Sequence, residues 1–133
     1  MIGIVIVAHG GLAREFLAAV EHVVGKQVGM IAISIGPDDD RRVKEAEICV
    51  SADAVDVGHG VIVVTDMFGG SPSNLSLRAC RPANRQIVFG TNLPLLIKLT
   101  KSRHMPVPDA VRLALTAGRK YIDAFEVPGE DED

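Results

Sequence analysis

Two short stretches of the chain end apolar runs in residues suited to chemistry. IGIVIVAHGG, at 2–11, ends in a histidine and two glycines, and VTDMFGGSPSN, at 64–74, places an aspartate before Gly-Gly-Ser-Pro. A neutral imidazole attacks phosphorus when one ring nitrogen is bare and the other carries the proton. A carboxylate bonded to that N–H fixes the tautomer and steadies the positive charge that develops on the ring. His9 is therefore expected as nucleophile and Asp66 as its orienting partner. Phosphoryl transfer otherwise depends on positioning and on donors for spread negative charge. Gly69, Gly70 and Ser71 offer unshielded amides and a hydroxyl, Pro72 suits a first helical turn, and Gly10 leaves room for a close approach. Gly10, Gly69, Gly70 and Ser71 make up the expected phosphate cradle.

Each signal alone has a plainer reading. A histidine at a strand end caps it, an aspartate caps a turn, and Gly-Gly-Ser-Pro is a common turn. Only joint placement at one rim gives them a shared task. His22 and His104 read as solvated, His59 as a loop residue, and the Asp38–Asp40 run as a helix start rather than a metal cluster. No Walker lysine and no G-x-G-x-x-G spacing is present, so the phosphate is expected to arrive on another protein rather than on a nucleotide. No metal and no cofactor is called for.

The elements that must bring these groups together alternate along the chain. Residues 2–8 read as a strand covered on both faces, and Leu12, Phe16, Ala19, Val20 and Val23 as the stripe of a helix stopped by Gly25. Strands follow at 29–35, 60–66 and 85–90. A helix over about 40–57 is expected to bury Val43, Ala46, Val50, Ala54 and Val57. Another opens at TNLPLLIKL, and a last one runs over 108–125, where Gly118 has no evident purpose. This is α/β: a doubly wound, mainly parallel sheet of order 2-1-3-4 with helices on both faces and room for an antiparallel edge strand. Ligands on such sheets sit beyond the carboxyl ends of the strands, where strand order reverses. His9, Asp66 and the GTN at 90–92 would meet there.

The totals fit one domain at 1–125 followed by an acidic tail at 126–133. Of 133 residues 47% are hydrophobic, enough for a core, and 4% are aromatic, too few for a base-stacking platform. Formal charge is −3, yet EVPGEDED at the end holds five of the 17 carboxylates, leaving 14 basic against 12 acidic residues in the body. The tail is expected to be solvated and without structure, and the body offers no stripe for nucleic acid. Cys49 and Cys80 lack metal-ligand spacing and read as reduced thiols of a cytoplasmic protein. The first apolar run is too short to cross a membrane and has no basic flank, so it is expected to be neither signal peptide nor anchor.

IGIVIVAHGGLA, VVTDMFGGSPSN and GTNLPLL, in this order and spacing, resemble the IIA component of the mannose/fructose-type sugar phosphotransferase system over about residues 1–125. The resemblance implies that His9 accepts a phosphoryl group from the histidine-containing phosphocarrier protein and passes it to a IIB component. Asp66 would hydrogen-bond the histidine, and Ser71 would lie beside the phosphate. It also implies a homodimer that exchanges an edge strand. The segment after Phe125 is the candidate, although its carboxylates suit a strand poorly. Any sugar transport would need other chains, since nothing here binds sugar or crosses a membrane.

Two other classes compete. A regulatory module would let partners read the phosphorylation state of His9, a change of about two charges. A receiver or flavin binder on the same architecture needs an acidic cluster after strand one or stacking rings, where this chain has His-Gly-Gly and a lone Phe68.

Overall fold

The computed structural model describes residues 1–129. Four parallel strands, β1 (Gly3–His9), β2 (Met30–Ile35), β3 (Val61–Thr65) and β4 (Arg85–Val88), form one sheet in the order β2-β1-β3-β4. Between and after them come α1 (Leu12–Val24), α2 (Arg41–Val55), α3 (Ser71–Ser76), α4 (Leu93–Lys101) and α5 (Val107–Lys120). No antiparallel strand joins either edge among the described residues.

The central strands are buried on both faces, which is why β1 and β3 read as unbroken apolar runs. Alternation divides them between two cores. Ile4, Ile6, Ala8, Ile62 and Val64 pack under α1, α4 and α5. Val5, Val7, Val61 and Val63 pack under α2 and α3. Two glycines mark close approaches. A Cβ on Gly3 would lie 2.5 Å from Val55 Cγ2, at the end of α2. One on Gly118 would lie 3.0 Å from Leu95 Cβ, so its purpose is to let α5 lie against α4.

Two arginines tie the helices to the sheet. Arg85, its side chain 6% exposed, bridges Asp53 at 2.8 Å and Asp56 at 3.1 Å and donates to the Ala79 carbonyl. Arg103, also buried, donates to the carbonyls of Ile2 and Gly29 and to the side chain of Gln27. Desolvation holds its pKa below the ordinary arginine value.

Three helix expectations need correction. The inward residues of α2 are Ile48, Ala52 and Val55, while Val43, Ala46, Val50 and Ala54 face outward. Val57 lies beyond the helix and is exposed. Both stripes are apolar, and periodicity does not choose between them; the close approach at Gly3 and the Arg85 bridge do. In α1, Ala13 and Val20 are buried with Phe16, Leu17 and Val24 partly so, whereas Leu12 and Val23 are exposed. Finally α5 stops at Lys120, leaving Ile122 and Phe125 exposed in irregular chain. The acidic run from residue 130 onward lies outside the described residues, and 126–129 are exposed and without regular structure.

Candidate functional site

The parallel register brings the ends of β1 and β3 level, with Val7 beside Thr65. His9 closes β1, and Asp66 follows directly after β3. Thr65 fixes the end of β3 by donating its hydroxyl to the Val88 carbonyl at 3.2 Å and accepting from the Thr91 amide at 3.1 Å.

Across this gap the Asp66 carboxylate receives two bonds on one oxygen. The His9 backbone amide donates to Oδ2 at 3.0 Å, and the ring Nδ1 lies 2.8 Å from the same atom. An ionised carboxylate only accepts, so Nδ1 carries the proton and Nε2 keeps its lone pair. Burial alone would raise the pKa of Asp66. The hydrogen bonds donated by the His9 amide and ring outweigh burial and hold the carboxyl below its usual value. The pair is lopsided in exposure: the histidine side chain is 48% exposed, the aspartate 12%. The carboxylate is thus part of the frame, and the ring faces outward.

Nε2 lies over the second glycine of the Gly-Gly pair. A Cβ on Gly70 would stand 3.1 Å from His9 Cε1 and 3.4 Å from Nε2. Gly69 takes a left-handed conformation at φ +83°, which favours glycine. Its amide donates to Ser73 Oγ, which in turn donates to the Gly70 carbonyl, each at 3.0 Å. Gly10 is left-handed too, at φ +55°, and its amide is committed to the Ile35 carbonyl. Gly10 and Gly69 therefore shape the rim, while their amides are engaged within the chain. Among the described residues no hydrogen bond occupies the amides of Gly70 and Ser71.

Two contributors have no signal in the sequence. Ser73 pins the glycine loop, as above. Arg41, the first residue of α2, points Nη1 at Ser71 Oγ at 3.5 Å, and a cavity of about 240 Å³ opens between Arg41, Lys44, Ser71 and Gly36. Only the fold brings residue 41 to residue 71. The GTN cluster divides its duties. Asn92 caps α4 by accepting from the Leu95 amide and donates to the Gly118 carbonyl. The remaining histidines lie elsewhere. His59 and His104 line a cavity of about 470 Å³ with Arg103, at the end of the sheet where the strands begin. His22 is exposed on α1. No group of three potential metal ligands occurs among the described residues, and none of their helices is long and apolar enough to cross a membrane.

Such a site can present a bare imidazole nitrogen to an electrophile, hold the ring while it gains charge, and offer amides, a hydroxyl and a guanidinium beside it. Known proteins share the frame. The phosphotransferase system component EIIA from Streptococcus agalactiae superposes with a TM-score of 0.83 at 26% identity, covering 93% of this chain and 97% of that one. The PTS IIA protein associated with the fucose utilization operon of Streptococcus pneumoniae gives 0.76 at 30% identity, covering 86% and 88%. The PTS system mannose-specific EIIAB component of Escherichia coli K12 is 27% identical over 128 residues, 94% of this chain. The chain spans 40% of that relative's length. Residues 3–113 match the family described as the PTS system fructose IIA component, and it is to this family that the chain belongs.

Proposed function

We propose that the chain is a phosphoryl carrier of a phosphoenolpyruvate-dependent phosphotransferase system, with the phosphoryl group carried on Nε2 of His9. The observation that carries this reading is the 2.8 Å contact between Nδ1 and the Asp66 carboxylate, which leaves Nε2 bare above Gly70. The donor is the histidine-containing phosphocarrier protein. The Nε2 lone pair forms the new P–N bond as the donor's P–N bond breaks, and the donor's ring nitrogen keeps that electron pair. Asp66 stays ionised and balances the positive charge on the His9 ring. The Gly70 and Ser71 amides, the Ser71 hydroxyl and Arg41 meet the phosphoryl oxygens. Transfer to a IIB component runs the same step in reverse.

The acceptor rests on the family and on the relative named as an EIIAB component. Family membership also underlies a homodimer. β4 is an edge strand, and the exposed Ile122, Phe125 and Val127 follow α5. Pairing of that segment with the β4 edge of a second copy would cover both.

Reconstitution tests the reading directly. Incubated with phosphoenolpyruvate, the first enzyme of the system and the phosphocarrier protein, the chain is expected to take up one acid-labile phosphoryl group. His9→Ala removes it. Asp66→Asn folds and labels about 100-fold more slowly, an effect of the size seen when an orienting group is lost. Undiminished labelling of the His9→Ala protein overturns the assignment.

A further inference from the structure

α2 carries a second apolar stripe that the single chain leaves bare. Val43, Ala46, Val50 and Ala54 fall within about 80° of arc at 3.6 residues per turn, opposite the buried Ile48, Ala52 and Val55. Val43 is 63% exposed and Val50 68%. A helix that is apolar on both sides belongs between two layers, and this one has only the sheet.

We infer that the outward face of α2 docks on the same face of a second copy, antiparallel, about a two-fold axis at Val50. Three observations select that occupant. First, the stripe is self-complementary. Ala46 and Ala54 lie equally far from Val50 on either side, so a two-fold axis there sets each alanine against the other's counterpart. The small side chains let the axes approach to about 8 Å. Secondly, the spacing 43, 46, 50 places apolar residues three and four apart, the seam by which helices pack on helices. Thirdly, the helix is charged unequally along its length. Along one edge of the stripe the exposed Arg42 stands at its amino end and the exposed Asp53 at its carboxyl end, whereas Arg41 and Lys44 lie on the sheet side. Antiparallel packing sets the basic end of each helix against the acidic end of the other, whereas parallel packing sets like against like. Asp53 holds Arg85 yet stays 70% exposed, so it keeps a side for a second cation. A seam of two to three turns buries less than about 1,200 Å², the low end for specific interfaces. The contact is therefore reversible, and independent of any pairing at the β4 edge.

The full chain is followed by sedimentation from about 10 μM to about 1 mM, a range that brackets weak association. The mass is expected to rise with concentration, and Val50→Glu to weaken that rise at least tenfold while leaving circular dichroism unchanged. In a Cys49→Ser background Val50→Cys cross-links to itself on mild oxidation. Val43→Cys does not, because its two copies lie about 20 Å apart in this register. Three results overturn the proposal: a mass independent of concentration, a rise indifferent to Val50→Glu, or equal cross-linking at 43 and 50. None of them bears on phosphorylation of His9, which the Val50→Glu protein is expected to retain.

Discussion

At the scale of single residues, one carboxylate oxygen binds both the backbone and the ring of His9. Asp66 therefore sets where the strand ends and which nitrogen is bare. The opposite wall of the reacting space is the missing side chain of Gly70. Its backbone is extended at φ −83° and ψ 174°, so alanine is tolerated there conformationally and intrudes only on the ring. Gly70→Ala is expected to melt like the parent and to accept phosphate about 10- to 100-fold more slowly, the scale of a small misplacement at a reacting centre. Stopped-quench labelling beside a thermal melt checks it. The depressed pKa of Asp66 has a sign of its own. Folding favours the ionised carboxylate, so this stabilisation is complete above the unfolded value of about 3.9 and disappears as pH falls through the lower folded value. Between about pH 5 and pH 3 the parent should lose more stability than Asp66→Asn, as denaturant midpoints will show. His9, Asp66 and the glycine pair were legible in sequence because each ends or follows an apolar run. Arg41 and Ser73 were not, since only tertiary placement gives them their partners.

At the scale of elements, strands were easier to read than helix faces. Unbroken β-branched runs in β1 and β3 announce burial on both sides and hence the centre of a parallel sheet. In α2 two apolar stripes compete, and local periodicity carries no information about which one meets the sheet. The deciding contacts, Gly3 against Val55 and Arg85 across Asp53 and Asp56, join residues far apart in sequence. Gly118 is the converse case: a weak point within its own helix that becomes intelligible beside Leu95. Gly118→Val would force branched carbons into that contact and is expected to cost about 1–3 kcal/mol, measured by chemical denaturation. Because Asn92 caps α4 and also bonds the Gly118 carbonyl, the same substitution should loosen the loop after β4.

At the scale of the whole molecule, the two ends of the sheet differ in construction. Where the strands begin, Arg103 gathers the carbonyls of Ile2 and Gly29 in a buried setting. Where they end, the rim is made of glycines and exposed side chains, and Gly69 is held by a serine hydroxyl rather than by a ladder. Hydrogen exchange should separate these ends. The amides of Ile4 and Ile6 are expected to exchange only through global unfolding, and those of Met67–Gly70 through local opening, orders of magnitude sooner. Equal protection at both ends would contradict this. The Arg103 clasp thus anchors one pole of the molecule, and the glycine mouth at the other is expected to yield first. Under the proposed carrier function, that mouth would reshape against one partner after another without straining the foundations.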